Sequence, residues 1–143
     1  MNKSENTPDR LFIEKEDRDI YDRLKKLKLF KKHDNKNLFL MAMVFGFHKK
    51  QSKPITTSDG FVRKSYLRDN DESLINALAV YEKNDLDILL DKKEVFKIAE
   101  EYANAGIKII DKVISDSDEA EFIKQLEYLL LEKYEEMDID KNI

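Results

Sequence analysis

Residues 38–47, LFLMAMVFGF, are apolar on nearly every side of a helical turn. A helix apolar all round needs neighbours on several sides, so this segment predicts a central helix on which others pack. The character then reverses within one step. His48, Lys49, Lys50 and Lys53 follow, closed by Pro54. Cations at a helix C-terminus complement the negative end of its dipole. One stretch thus supplies a buried anchor and an exposed basic exit.

Composition decides what surrounds that anchor. The chain has 143 residues, enough for one core. Three Gly, two Pro and no persistent two-residue alternation favour helices over sheets. A hydrophobic fraction of 41%, with six Tyr and eight Phe, excludes a wholly disordered chain despite 39% charged residues. With no Cys there is no disulfide, thiolate nucleophile or cysteine-based metal site, which fits a reducing cytoplasm. The opening MNKSENTPDR has no apolar stretch of the signal-peptide kind. The run over 38–45 is too short to span a bilayer.

These features predict an all-α fold: a single compact domain of about five helices over residues 15–137, with a basic loop after the second helix. Residues 1–14 read as a loose arm, marked by the turn signal Thr7-Pro8-Asp9, and 138–143 as a frayed tail. Leu11, Phe12 and Ile13 are the arm's docking residues. Ile20, Leu24, Leu27 and Phe30 share one face of a first helix over 16–32. Asp34 or Asn35 caps the second helix, over 36–49. Residues 51–60, QSKPITTSDG, form the long loop, and 61–68 a short helix or irregular segment. Asp69 with Glu72 has capping-box spacing before a third helix, whose stripe is Leu74, Ala77 or Leu78, and Tyr81. Leu86 to Leu90 read as a helical turn. Asp91 with Glu94 opens a long helix to about residue 114, and its cluster Ala103-Asn104-Ala105-Gly106 admits close approach of another helix. A last helix carries Ile123, Leu126, Leu130, Tyr134 and Met137.

Charge divides the chain. Residues 1–68 carry 17 Lys and Arg against 9 Asp and Glu, a balance of +8; residues 69–143 carry 9 against 21, a balance of −12. Such asymmetry reads either as a nucleic-acid face beside an acidic partner surface or as two halves that pair with each other. The defensible constellation is basic. His48, Lys49, Lys50, Lys53, Arg63, Lys64 and Arg68 bracket a flexible loop, with Phe61 and Tyr66 interleaved. Cations there neutralise phosphates and release counterions.

Catalytic chemistry finds no support. No Gly-rich turn with Lys forms a P-loop. His33 and His48 lie 15 positions apart in separate segments, which does not make an imidazole metal site. Asp85, Asp87, Asp91 and Glu94 are explained by helix capping and solvation rather than by a metal centre. No catalytic, metal-binding or cofactor-binding residue is assigned, and no cofactor is expected.

Two stretches resemble a known family: LFLMAMVFGFHKKQSKPI at 38–55 and EEYANAGIKIID at 100–111. They are similar to the DNA phosphorothioation-associated protein 4 family, also called dnd system-associated protein 4. Its pattern is an apolar helix ending in Gly-Phe and a basic stretch, then a later Tyr-Ala-Asn-Ala/Gly-Gly segment. Gly46-Phe47, the Lys49-Lys50 pair and Tyr102 to Gly106 match it, and the resemblance covers residues 16–135. The basic stretch carries Lys where the family pattern has Arg, so it offers point charges rather than forks. The resemblance implies a bacterial or archaeal cytoplasmic protein of a system that marks DNA with backbone sulfur and restricts unmarked DNA. It implies no defined activity, cofactor or catalytic residue.

Two functional expectations follow. In the first, the chain is a small accessory subunit of that antiviral modification and restriction system, contacting DNA through the basic loop and other subunits through its acidic half. In the second, it is a non-enzymatic adaptor or regulator that binds protein, including a second copy in a homodimer, without touching DNA. Neither needs a membrane.

Overall fold

The computed structural model describes residues 8–116, 120–125 and 127–128. The chain divides into two compact units, Met1–Ile110 and Asp111–Ile143. In chain order the elements are strand β1 (Arg10–Glu14), helix α1 (Arg18–Lys25), helix α2 (Asn35–His48), strand β2 (Ser58–Arg63), helix α3 (Asp69–Lys83) and helix α4 (Lys92–Asp116). Short 3-10 turns cover Lys15–Asp17, Lys28–Phe30, Lys64–Tyr66 and Leu86–Leu90. The second unit holds the end of α4 and helical residues 120–125 and 127–128, with Phe122 buried. Leu126, Leu130, Tyr134, Met137 and the tail from 138 onward lie outside the described residues, as do the first seven residues of the expected arm.

The fold is mostly helical but not all-α. β1 and β2 pair antiparallel, with Arg10 opposite Arg63, Leu11 opposite Val62, Phe12 opposite Gly60 and Glu14 opposite Ser58. Residues 10–14 are therefore not a loose arm: Leu11 and Ile13 are buried in the core. Each strand is too short to show alternation, and 43 residues separate the two, so no local pattern announces the pair. Phe61 is the extra residue of a bulge between Gly60 and Val62. A bulge re-aims side chains. Here Phe61 packs on Tyr21 of α1, with ring centroids 4.5 Å apart, while its neighbour Val62 is buried. Arg18 locks the bend: it donates to the Asp59 carboxylate at 2.7 Å and the Gly60 carbonyl at 2.8 Å, and it lies over the Phe61 ring.

α2 is the central helix of the first unit. Asp34 caps it by accepting the Asn37 N–H at 3.0 Å. Leu38, Phe39, Leu40, Ala42, Met43, Phe45 and Gly46 are buried. α2 crosses α4 through its small residues. A Cβ at Gly46 would run into the Tyr102 carbonyl, and one at Gly106 into the Ala42 carbonyl. Both glycines are there because the backbones touch. The close approach expected of the 103–106 cluster is thus made, and α2 is what it admits.

α1 is shorter than the periodicity implied. It ends at Lys25, and Phe30 is carried into the core by the following 3-10 turn. α3 differs by a step. Its cap is Arg68, whose N–H is accepted by Asp71 at 2.8 Å, in place of the Asp69–Glu72 box. Its buried residues are Ile75, Leu78 and Ala79, while Leu74 and Tyr81 are exposed. Asn84 ends α3 in the left-handed conformation, at φ 51°. α4 opens as its spacing predicts, with Asp91 accepting the Glu94 N–H at 3.2 Å.

Candidate functional site

The loop between α2 and β2, residues 49–57, begins with an unusual helix end. The Lys50 N–H donates to the Phe47 carbonyl at 3.0 Å and the Gln51 N–H to the Gly46 carbonyl at 2.9 Å. This is the paired bonding of a Schellman motif, which puts the residue after the cap in the left-handed region. That residue is Lys50, at φ 56°. Glycine is the default there, and a side chain costs about 1 kcal/mol.

The remainder of the loop is strapped from two sides. The Lys53 N–H donates to the Glu101 carbonyl at 2.9 Å. The Asn104 side-chain amide donates to the carbonyls of Lys53, at 3.0 Å, and Pro54, at 3.2 Å. From the hairpin, the Glu14 carboxylate accepts the Thr57 N–H at 2.7 Å, the Thr56 hydroxyl at 2.8 Å and the Thr56 N–H at 3.1 Å. The backbone N–H groups of Thr56 and Thr57, then the Thr56 hydroxyl, hold the Glu14 carboxyl below its usual range. Behind the strap, Lys108 donates to Asp17 at 2.7 Å and to the Asn104 side-chain oxygen. Burial pushes the Asp17 carboxyl up, against the pull of Lys108. The loop read as flexible is therefore held in one shape.

Lys49, Lys50 and Lys53 are exposed on this loop, and His48 is half-buried at the end of α2. Arg63 ends β2, Lys64 begins the next turn and Arg68 caps α3. β2, six residues and about 16 Å long at roughly 3.3 Å per residue, lies in the chain between the loop cations and Lys64. Lys49, Lys50 and Lys53 thus precede β2, and Arg63, Lys64 and Arg68 lie at its end and beyond. Among the described residues, none of the seven makes a side-chain ion pair.

A groove of about 1030 Å³ lies beside the strap, lined by Phe12, Ile55, Phe96, Lys93, Lys97 and Glu100 among others. Glu100 accepts the Phe12 N–H at 2.7 Å. Burial, more than neighbouring Glu101, pushes its carboxyl up to about 7. On the other flank Phe47 packs edge-on against Tyr81 and Tyr102, and the Tyr102 hydroxyl donates to Glu82. Burial, then Glu82, pushes that hydroxyl up to about 12. Among the described residues no group of three or more His, Cys, Asp or Glu is placed to hold a metal ion, and no helix is long and apolar enough to cross a membrane. Asp85 and Asp91 cap backbone N–H groups instead.

Asn104 and Gly106 thus fix the loop and the helix crossing within one stretch of α4, and Gly46 completes the crossing from α2. A family model described as DNA sulphur modification system-associated protein 4 matches residues 10–142. The chain belongs to this family. The match begins at the first residue of β1 and takes in every element of the first unit. No curated protein and no solved structure matches the chain. The stretches that carry the resemblance, 38–55 and 100–111, include the residues that make the helix crossing and strap the loop. Charge alone pointed to the loop cations. Glu14, Asp17, Asn104 and Lys108 escaped sequence reading because their roles depend on partners 40 to 90 positions away.

Proposed function

We propose that this chain is an accessory subunit of a DNA sulfur modification and restriction system, and that it meets the DNA backbone through the exposed cations of residues 48–53. Lys50 carries this reading. A lysine stands where the backbone favours glycine, on a loop held rigid from two sides, with its ammonium free among the described residues. Backbone strain kept at a charged, exposed position is an arrangement associated with function. Phosphate is the ligand such a row of ammonium groups suits, and family membership supports DNA as its source.

The test is fluorescence anisotropy of the pure protein with labelled duplexes, with and without backbone sulfur, across a salt series. Binding that weakens steeply with salt, and further in Lys50→Gly, is the expected result. A preference for the sulfur-bearing duplex makes the subunit a reader of the mark. No binding at low salt overturns the DNA reading and leaves the adaptor. That second reading has its own observation: Tyr81, Leu86 and Leu90 stand 64–72% exposed on α3 and the turn after it.

A further inference from the structure

The far end of the hairpin holds a feature that the basic loop does not explain. Arg10 and Arg63 are directly opposite across the two strands. Opposed residues of an antiparallel pair project on one face with Cβ atoms about 5 Å apart, and like charges so placed are destabilising. The bulge at Phe61 creates this opposition. In an unbulged register continued from Gly60, Val62 would stand opposite Arg10 and Arg63 would fall on the other face, since a one-residue slip reverses every side chain. Arg10 is also laid down deliberately: its Cδ lies 2.8 Å and its Nη1 3.1 Å from where a Cβ on Gly60 would stand, so a larger residue at 60 would displace it. Lys64 follows at once, its N–H anchored to the Asp9 carbonyl at 2.8 Å. Together Asp9, Arg10, Arg63, Lys64 and Ser65 line a separate open groove of about 660 Å³. The only ion pair there among the described residues is the exposed one between Asp9 and Arg10, at 3.3 Å.

Three cations and a serine lining one open groove suit an anion with several oxygens. The geometry points to Arg10, Arg63, Lys64 and Ser65 as an oxyanion cradle that takes a backbone phosphate of DNA. As a DNA contact the cradle rests on the reading proposed above. Guanidinium groups suit it, because their forked N–H pairs match two phosphate oxygens at once. Asp9 occupies Arg10 in the free protein and gives it up to the phosphate.

Two measurements test it. The first compares binding of a short labelled duplex by the full chain, Arg10→Gln and Arg63→Gln across a salt series. Each variant is expected to bind about fivefold more weakly at low salt, with a salt slope smaller by about one. Asp9→Asn is expected to bind more tightly. Wild-type affinity and slope in Arg10→Gln overturn the cradle as a DNA contact, while weakening in Lys50→Gly alone leaves the loop standing. The second follows the Nε–Hε resonances of Arg10 and Arg63 as inorganic phosphate is added, against chloride at equal ionic strength. Both are expected to shift with phosphate only. If no duplex binds at all, the proposed function fails and this titration decides the cradle as an oxyanion site: absence of a phosphate-specific shift overturns it.

Discussion

The two ends of the β1–β2 strand pair are built on opposite principles. At the loop end Glu14 accepts three hydrogen bonds, Asn104 donates two, and Asp17 and Lys108 satisfy each other. At the other end two arginines face each other, and one exposed aspartate pairs with Arg10. Buried polar groups must be partnered or they cost the fold, whereas exposed like charges cost little and remain available. The first end holds a shape. The second holds charge in reserve.

Breaking the satisfied end has the largest expected effect. Lys108→Met strands the Asp17 carboxylate, which is 3% exposed, and is expected to lower unfolding stability in urea by about 3 kcal/mol. Asn104→Ala leaves the Lys53 and Pro54 carbonyls without their donor. It is expected to cost about 2 kcal/mol, with faster hydrogen exchange at the amides of Lys53 and Thr57. If Asn104→Ala leaves those amides protected, the strap is not what orders the loop.

Between the two ends, Glu100 accepts the Phe12 N–H. Its carboxyl is raised from 4.5 to about 7, so the folded chain keeps a proton that the unfolded chain has lost over that interval. Stability therefore falls as pH rises from about 4.5 to 7. Glu14 has the opposite sign: its carboxyl is lowered, so its contribution is present above 4.5 and is lost as pH falls through its folded value. Glu100→Gln keeps an acceptor for Phe12 and removes the titration. Its stability relative to wild type is expected to grow by on the order of 1 kcal/mol between pH 5 and 8, read by thermal melts. A constant difference across that range would contradict this assignment.

The smallest effect lies at the open end. Arg10→Gln removes the like-charge opposition and is expected to leave stability unchanged or raise it by a few tenths of a kcal/mol. A loss above 1 kcal/mol would mean that Arg10 is structural and would collapse the contrast between the two ends. Lys50→Gly sharpens the same point inside the loop. Relief of the left-handed side chain is expected to raise stability by about 0.5 kcal/mol while duplex binding falls.

What was legible in the sequence was local. The all-round apolarity of 38–47, the cap at Asp34, the Asp91–Glu94 helix start and the small cluster at 103–106 each lie within a few turns, and each is found where the pattern put it. The buried face of α3 is Ile75, Leu78 and Ala79 rather than Leu74 and Tyr81: Tyr81 packs its ring on Phe47 while remaining 72% exposed, so an aromatic at helical spacing did not mean a core residue. The hairpin was invisible. Arg63 and Lys64 were singled out by charge, but nothing short of the register could join them to Arg10.

The same long-range joins bear on how the chain finds its fold. β1 has no partner until residues 58–63 reach it, and the Ala42–Gly106 contact closes a loop of some sixty residues at an entropic cost on the order of 3 kcal/mol. Helices α2 and α4 form locally on the microsecond scale, but neither the crossing nor the hairpin is a local event. For all its helix, this chain is expected to fold under the constraint of its distant contacts, at the pace of mixed α/β domains rather than of helical bundles.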